Sequence, residues 1–341
     1  MIHQPIDNGI GVPSGALPAL RIGPANIRGN TFLAPLAGVS NLPFRRLVKE
    51  CGVSVVCSEM ISAKGLFYNS EKTRFLLASS PEERPLSVQI FGAEPDIMAR
   101  AAAEISDMGI ADILDINFGC SVKKVIRQGA GAALMKDLPM SRKIIQAVRR
   151  ATSLALTIKI RSGWDPSGSQ AFALAAIAEK EGVDAVVFHP RTATQGFKGH
   201  ADWDLIRQLK DQTALPVIGN GDILTPSDAL TMMKQTGCDA VMIGRGAMTN
   251  PFLPGQADTL IARGVDSPVT ATTMFRAMKR LIHLYVDHFG EATACRMLRG
   301  RLSWFVKGMP GCADVRRSLS RISSTNQAVE LILDYEYRLS L

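Results

Sequence analysis

The sequence predicts a (β/α)8 barrel, or TIM barrel, followed by an all-helical C-terminal domain. Short apolar runs alternate with helix-length segments between residues 31 and 250. Each run is apolar almost throughout, which is typical of parallel strands buried on both faces. Eight such strand–helix units fit the size of a (β/α)8 barrel. A doubly wound parallel sheet is the alternative, because alternation alone does not separate the two folds.

The apolar runs place the strands in chain order. Strands are predicted at residues 31–36, 53–60, 86–91, 113–118, 156–160, 185–189, 216–219 and 240–243. Helices are predicted between them at residues 96–108, 141–151, 170–181 and 227–236. Thr225 and Pro226 open the last of these as an N-cap and a first-turn proline.

The chain outside the barrel has different patterns. Residues 16–32 predict a short hairpin that leads into the first barrel strand, and residues 1–30 are assigned to an N-terminal extension with this hairpin. The barrel domain is expected over 31–254 and the helical domain over 255–341. Helical periodicity in this last part is found at residues 270–289, 291–307, 313–322 and 326–339.

Composition indicates an ordinary globular protein, with 46% hydrophobic and 21% charged residues. No apolar run reaches the roughly 20 residues that span a bilayer. Residues 1–15 lack the basic start and apolar middle of a signal peptide. We therefore expect a cytoplasmic protein, away from membranes, and a monomer. The six cysteines show no metal-ligand spacing, so no metal is expected.

The net charge of +8 is unevenly distributed. Between residues 293 and 321 the only acidic residue is Asp314. The basic residues of this segment are Arg296, Arg299, Arg301, Lys307, Arg316, Arg317 and Arg321. Such a one-sided segment in a separate C-terminal unit is typical of phosphate-backbone binding.

Polar or otherwise unusual residues follow strand after strand, where a (β/α)8 barrel places its ligands. They are Pro35, Ala37, Glu59, Gln89, Asn117, Cys120, Lys159, Arg161, His189, Arg191, Asn220, Asp222 and Arg245. After the last two strands, residues 219–222 and 244–246 are glycine-rich, so backbone amides can approach an anion closely, and Arg245 adds a charged fork. Together these two loops predict a phosphate site.

Two reactive side chains stand out in this set. Lys159 lies inside an apolar strand, where its burial requires a compensating charge. Cys120 lies in a loop just past the fourth strand. An ordinary thiol, with a pKa of about 8.5, is mostly protonated at neutral pH and can serve as a general acid. A nucleophilic role would require a base such as His189, and the sequence leaves both roles open.

Several motifs occur in the order found in a known family. They are LAPLAGVSN at 33–41, SVQIFG at 87–92, DINFGC at 115–120, GAGAALM at 129–135, KIRSGW at 159–164, GNGDI at 219–223, IGRGA at 243–247 and WFVKG at 304–308. With them the chain resembles the tRNA-dihydrouridine synthases, closest to the bacterial B-type branch, from about residue 20 to the C-terminus. The resemblance implies an FMN-binding barrel, NADPH as reductant and a helical domain that grips tRNA.

The resemblance also implies individual roles. Cys120 would donate a proton to C5 of a uracil whose C6 receives hydride, in a uridine of the tRNA D-arm. The residues implied at the FMN are Pro35, Leu36, Ala37, Gln89, Lys159, His189, Asn220, Gly221, Asp222, Gly244 and Arg245. The residues implied at the substrate are Asn117, Arg161, Arg191, Arg296, Arg299, Lys307, Arg316 and Arg317.

The chain departs from the family pattern at several positions. Ser121 replaces the usual proline after the cysteine, and Pro190 and Ala193 replace a glycine and an arginine near the histidine. Residues 296–299 lack the expected pairing of a basic residue with a histidine. These departures bear on the grip on RNA more than on the reaction class.

Two other functions are compatible with parts of the sequence. One is an FMN barrel oxidoreductase acting on a small molecule, such as a dihydroorotate or enoate reductase, for which the basic helical domain would have no use. The other is a non-catalytic RNA-binding regulatory protein. The presence of Lys159, Cys120 and both phosphate loops argues against the latter.

Overall fold

The computed structural model describes residues 19–340. Its strands are β1 (Ala19–Ile22), β2 (Ala25–Arg28), β3 (Thr31–Leu33), β4 (Val56–Cys57), β5 (Ile61–Ser62), β6 (Leu86–Phe91), β7 (Ile113–Asn117), β8 (Ala155–Gly163), β9 (Ala185–Thr192), β10 (Val217–Asn220) and β11 (Ala240–Ile243). All eight predicted strands are confirmed, and β5 adds a short piece that pairs with β6.

Helices follow most of the strands and fill the C-terminal part. They are α1 (Leu42–Glu50), α2 (Ala63–Phe67), α3 (Glu71–Phe75), α4 (Pro95–Asp107), α5 (Lys123–Ile126), α6 (Leu138–Ala151), α7 (Ser169–Lys180), α8 (Trp203–Gln212), α9 (Pro226–Thr236), α10 (Arg245–Thr249), α11 (Leu253–Arg263), α12 (Ala271–Phe289), α13 (Glu291–Phe305), α14 (Cys312–Leu319) and α15 (Thr325–Ser340). Short 3₁₀ turns lie at Pro81–Glu83 and Gly131–Lys136.

The parallel strands form a barrel rather than a doubly wound sheet. Their order is β3-β11-β10-β9-β8-β7-β6-β4. The ring closes where the amide of Leu33 donates to the carbonyl of Val55 at 2.8 Å and the amide of Val55 donates to the carbonyl of Thr31 at 3.1 Å. The predicted (β/α)8 fold is therefore confirmed.

The hairpin of β1 and β2 covers the N-terminal end of the barrel. Its register pairs Ala19 with Arg28, and its residues Ile22 and Ile27 are fully buried. They pack in one cluster with inward-facing residues near the strand starts, such as Ile113. Among the described residues, this end of the barrel is therefore filled by apolar side chains. Residues 16–18 of the predicted hairpin lie outside the described residues.

The predicted helix N-cap before α9 is confirmed. The side chain of Thr225 accepts the amide of Asp228, while the Asp228 carboxylate accepts the amide of Thr225 at 2.8 Å. Pro226 occupies the first turn, where a missing amide hydrogen costs nothing. Gly237 ends the helix with φ of 69° and lets the chain turn directly into β11.

The C-terminal helices pack on one side of the barrel. Arg280 of α12 forms an ion pair with Glu50 of α1 at 2.7 Å. The predicted boundary at residue 254 falls within α11, where Asp258 accepts the amide of Asn30 and the hydroxyl of Thr31, both at 2.6 Å. The division into domains stays a prediction. In the described range, 19–340, no helix combines the length and apolarity needed to cross a membrane.

A buried ion pair fixes α1 beneath the loop that follows β3. Arg45 contacts the Glu83 carboxylate with two nitrogens, at 2.7 and 3.0 Å, and both side chains are at most 2% exposed. Arg45 also donates to the carbonyls of Ser40 and Ala78 at 2.9 and 2.7 Å. The pair therefore joins three segments of chain.

Replacing Glu83 with alanine should leave the Arg45 charge buried without its counter-ion. We expect the free energy of unfolding to fall by about 3–5 kcal/mol in urea titrations. The control is Asp334→Ala, which removes the exposed Arg338–Asp334 pair and should cost less than about 1 kcal/mol. Equal losses in the two variants would contradict the proposed importance of the buried pair.

Candidate active site

A cavity of about 450 Å³ opens at the C-terminal ends of the barrel strands. The residues predicted at the strand ends come together in its wall. Those lining it are Pro35, Leu36, Ala37, Gln89, Asn117, Cys120, Lys159, Arg161, His189, Arg191, Asn220, Gly221, Asp222, Gly244 and Arg245. Ala34, Met60 and Met242 add apolar surface. One concave site with both apolar walls and converging polar groups is typical of a cofactor or substrate pocket.

The floor of the cavity carries a chain of hydrogen bonds. Gln89 donates through Nε2 to Asp115 Oδ2 at 2.6 Å, and its Oε1 accepts Asn117 Nδ2 at 2.8 Å. Asn117 Oδ1 in turn accepts the backbone amide of Cys120 at 2.9 Å. Burial raises the pKa of Asp115 to about 6, while bonds from Gln89 and Thr157 and the charge of Lys159 limit the rise. The sequence motif contains Asp115, but reasoning from strand ends missed it because it lies inside β7.

The backbone around Cys120 is held at several points. Ala132 donates its amide to the carbonyl of Cys120 at 2.9 Å, and Arg161 Nε donates to the carbonyl of Gly119 at 3.0 Å. Gly131 has φ of 62°, and a Cβ there would lie 2.6 Å from the Cys120 carbonyl oxygen. Only glycine fits such an approach. The half-buried thiol therefore sits on a tightly fixed loop.

Lys159 projects from β8 into the wall of the cavity. Its Nζ donates to Asn220 Oδ1 at 2.8 Å, and Asn220 Nδ2 donates to the carbonyl of Met242 at 2.7 Å. Burial lowers the pKa of Lys159 to about 8, with a further lowering from Arg161, while the carboxylate of Asp115 opposes both. The lysine is bonded to a neutral amide and faces the cavity, so an anionic ligand there would stabilise its charge.

His189 is buried beside three arginines. Burial, and then the charges of Lys159, Arg161 and Arg191, lower its pKa far below the ordinary value. The imidazole is therefore neutral, and its Nε2 accepts from Arg191 Nη1 at 3.2 Å. Because this ring nitrogen is occupied, His189 is poorly suited to activate Cys120 as a nucleophile.

The thiol itself favours the alternative role. Burial raises the pKa of Cys120 above its ordinary value, against lowering by the Val122 backbone and Arg161. A thiol with a raised pKa keeps its proton at neutral pH. Of the two roles left open by the sequence, the raised pKa of Cys120 and the bond of His189 Nε2 to Arg191 favour the general acid.

Arg191 supports the site rather than facing outward. Its side chain is 1% exposed and contacts both carboxylate oxygens of Asp222 at 2.7 Å and the carbonyl of Gly199 at 2.7 Å. Burial alone would raise the pKa of Asp222, but the Ala201 amide and Arg191 outweigh it and hold this pKa below its usual value. These donors of Arg191 are used within the protein, and its contact with a substrate stays a prediction.

Arg161 likewise joins two loops at the cavity edge. Besides its bond to Gly119, its Nη1 donates to the carbonyls of Thr192 and Gly196 at 3.1 and 2.8 Å. Its contact with a base or cofactor stays a prediction. The guanidinium lies 5.6 Å from the ring centre of Phe197.

Phe197 is a residue of the cavity mouth that the sequence reasoning missed. Its ring is 61% exposed, yet Arg161 and Arg245 both lie over it, the latter at 5.1 Å. A large apolar side chain next to Gly196, in the loop after a strand with polar residues at its end, was the available signal. A ligand that covered this ring would be stabilised, because the two arginines already hold the ring in place and little side-chain entropy would be lost on binding.

The basic residues of the C-terminal helices divide into two groups. Arg296, Lys307, Arg316 and Arg317 are exposed. Arg299 is half-buried and donates to the carbonyl of Ile322 at 2.9 Å, while Arg301 is buried and donates to the carbonyl of Gly38. The exposed group can meet a large anion, although Arg317 lies 3.5 Å from the exposed Asp314 and Arg296 donates to the hydroxyl of Thr293 at 3.0 Å, whereas Arg299 and Arg301 bond to backbone carbonyls within the protein.

Comparison with known proteins gives a consistent picture. The family model of the dihydrouridine synthases (Dus) matches residues 32–338. The chain is 36% identical to the tRNA-dihydrouridine synthase B of Pseudomonas aeruginosa, covering 90% of this chain and 92% of that protein. It is 37% identical to the tRNA-dihydrouridine synthase B of Xanthomonas axonopodis pv. citri, with 93% and 95% covered.

Solved structures show similarity at the level of fold. Histamine dehydrogenase from Rhizobium sp. 4-9 aligns with a TM-score of 0.54 and 13% identity, over 77% of this chain and 50% of that one. The 6-hydroxypseudooxynicotine amine oxidase of Pseudomonas geniculata N1 aligns with a TM-score of 0.56 and 14% identity, over 77% and 52%. The chain spans about half the length of these enzymes.

Replacing Arg161 with alanine should loosen both loops at the cavity edge. Three hydrogen bonds are lost, each with a net contribution of about 1 kcal/mol. The backbone amides of residues 118–122 and 193–197 should therefore exchange their hydrogens about tenfold faster or more. Arg207→Ala, an exposed arginine of α8, is the control and should leave these amides unchanged. Unaltered protection in Arg161→Ala would refute the bridging role.

Proposed function

The chain belongs to the dihydrouridine synthase family and is an oxidoreductase, and we propose that it reduces the C5–C6 double bond of specific uridines in tRNA. FMN would occupy the cavity and NADPH would be the reductant. The observation that carries the proposal is the meeting of Cys120, Lys159 and the two glycine-rich loops in one cavity. In this proposal residues 31–254 carry the chemistry and residues 255–341 grip the tRNA, in a cytoplasmic monomer.

The residues of the cavity fit a flavin mononucleotide. The half-buried Lys159 offers a cation to a ring system that becomes anionic on reduction. Gly221 has φ of 126°, and a Cβ there would lie 2.8 Å from the Cβ of Ala201, so the loop must present bare backbone. Gly244 and Arg245 follow the next strand and add an amide and a guanidinium for a phosphate. Pro35, Leu36 and Ala37 supply a further wall of the cavity.

The bound flavin would supply the hydride that C6 of the uracil receives. The other half of the reduction needs a proton at C5, and Cys120 is the group suited to deliver it. Its raised pKa keeps the thiol protonated at neutral pH. Its backbone is fixed on both sides, through the amide by Asn117 and through the carbonyl by Ala132. Such fixation keeps the acid in position and adds no reorganisation during the reaction.

The mouth of the cavity suits an unstacked base. A uridine inside folded tRNA reaches the cavity only after it leaves its stack. The exposed ring of Phe197 offers a face on which a base can stack, with Arg161 and Arg245 beside it. Base stacking on an aromatic ring contributes about 1–3 kcal/mol and is independent of sequence.

The partner is inferred to be RNA because exposed cations occur both in the loops after the barrel strands and on the C-terminal helices. Lys198 and Arg245 lie near the mouth, and the exposed arginines and lysine of α13, α14 and the turn between them lie beyond it. A small-molecule substrate would need no such surface. The phosphate backbone of tRNA fits it in charge and extent.

The decisive experiment combines the protein, NADPH and unmodified tRNA transcripts, followed by nucleoside mass spectrometry for dihydrouridine. We expect product from the wild type and about 10²–10⁴-fold less from Cys120→Ala, because the general acid is lost. The variant should retain its flavin. Cys312→Ala, at a half-buried cysteine of α14, is the matched control and should behave as wild type. Wild-type rates in Cys120→Ala would exclude this cysteine as the acid.

A wild-type protein that is yellow and oxidises NADPH but forms no dihydrouridine would indicate a small-molecule reductase. A colourless protein without product would indicate a non-catalytic RNA-binding protein.

Charge reversal at Arg316 and Arg317 should weaken tRNA binding without changing flavin content. Each lost phosphate contact lowers the slope of log K against log salt by about 0.9. Filter binding at several salt concentrations would measure both affinity and slope. The control is reversal of Arg207 and Lys234, which have the same total charge but lie on α8 and α9. Equal affinity of both double variants for tRNA would argue against the helices as the RNA grip.

A further inference from the structure

We propose that Asp115 is a positioning residue for the general acid, since it fixes the order of the amide groups that hold the Cys120 loop. The inference rests on the proposed role of Cys120. Asp115 does not touch the cavity mouth or the thiol. It acts through Gln89 and Asn117, which form an unbroken chain from its carboxylate to the backbone amide of Cys120.

The side-chain amides of Gln89 and Asn117 can each be rotated so that the oxygen and the nitrogen exchange places. The chain of hydrogen bonds can therefore run in two possible orders. The oxygen and the nitrogen of an amide have nearly the same size, so packing alone does not distinguish one order from the other. The choice must come from the groups at the ends. At one end is the Asp115 carboxylate, and at the other are the backbone N–H groups of Gly119 and Cys120.

An ionised carboxylate can only accept hydrogen bonds. Asp115 Oδ1 accepts the hydroxyl of Thr157 at 2.5 Å, and Oδ2 accepts Gln89 Nε2 at 2.6 Å. The nitrogen of Gln89 must therefore face Asp115, and its oxygen must face Asn117. This oxygen accepts Asn117 Nδ2 at 2.8 Å, which leaves Asn117 Oδ1 for the loop.

The order at the far end is the one that the loop requires. Asn117 Oδ1 accepts the amides of Gly119 at 3.2 Å and Cys120 at 2.9 Å. Asn117 Nδ2 also donates to the sulfur of Met60 at 3.3 Å. In the reverse order, an NH₂ group would face two backbone N–H donors, and both bonds to the loop would be lost. One buried negative charge thus sets the position of a residue two links away.

The burial of these groups makes the order stable. Asp115, Gln89 and Asn117 are 4%, 1% and 6% exposed, so water is not available to replace a lost partner. A reversed chain would also lose both bonds to the half-buried amides of Gly119 and Cys120. Burial raises the pKa of Asp115 to about 6, and the bonds from Gln89 and Thr157 together with the charge of Lys159 keep it from rising further, so the carboxylate is ionised at neutral pH.

The test is the rate at which iodoacetamide alkylates Cys120 in the holoenzyme, measured by peptide mass spectrometry. The side-chain amide introduced by Asp115→Asn can donate or accept a hydrogen bond, so the order of the Gln89 and Asn117 amides is no longer fixed. We expect the Cys120 rate to rise by about tenfold, as for the loss of a hydrogen bond of roughly 1.4 kcal/mol. Cys312 in the same sample is the internal reference and should not change.

Gln89→Met breaks the chain at its middle link and keeps the charge of Asp115. It should raise the Cys120 rate by the same factor, and the double variant should be no faster than either single one, because all three changes cut the same chain. Thr157→Val is the matched control. It removes a donor to Asp115 but leaves the carboxylate facing Gln89, so the rate should stay within about twofold.

The proposal is overturned if Thr157→Val and Asp115→Asn have equal effects, if Cys312 accelerates together with Cys120, or if no chain variant changes the rate. If Asp115→Asn fails to fold, Gln89→Met alone decides. The alkylation series does not depend on tRNA. An enzyme that forms no dihydrouridine but shows this pattern would contradict the proposed function and still support the role of Asp115. Where product forms, its rate should fall in the two chain variants but not in Thr157→Val.

Discussion

The site depends on one constraint, which is that charged side chains are buried at the C-terminal ends of the strands of a closed barrel. The cavity wall contains Lys159, Arg161 and Arg191, while the nearby carboxylates are Asp115 and Asp222. Each buried charge must find its partners within the barrel, since water is scarce there. Arg191 finds Asp222 and backbone carbonyls, and Asp115 finds Gln89 and Thr157. Lys159 is paired only with a neutral amide in the described contacts, so it is the cation that gains most from an anionic ligand.

Burial explains why two ordinary titratable groups of the site stay neutral, and for His189 the excess of positive charge acts in the same direction. His189 is surrounded by cations, so protonation would add a further buried charge of the same sign. For Cys120 the cations act in the opposite direction and favour the thiolate, but burial outweighs them. A histidine that takes up no proton and a cysteine that retains one are the states that proton delivery requires. Both follow from the depth of the site rather than from any special residue.

The strands and most of the cavity wall could be predicted from sequence because apolar runs and the barrel topology determine them. The ends of β8 and β9 could not. Strand β8 continues to Gly163 and strand β9 to Thr192. Arg161 of β8 is paired in register with His189 of β9. The sequence predicts that each strand ends at its first polar residues, whereas the pairing of β8 with β9 continues past them and directs those side chains inward. The partners of Arg161 and Arg191, and the role of Phe197, depend on loops whose paths no local pattern encodes. Counting charges in the C-terminal segment could not show that Arg301 is buried.

That buried arginine bears on how the two parts of the chain work together. Arg301 of α13 donates to the carbonyl of Gly38, and Tyr285 of α12 bonds to Asn41 at 3.0 Å. On the other side, the Glu59 carboxylate accepts the amide of Gly38. The loop that contributes Pro35, Leu36 and Ala37 to the cavity is thus held between the barrel and the C-terminal helices. The helices proposed to bind RNA and a wall of the cavity thus contact the same short loop, so the position of the helices helps to determine the shape of the cavity.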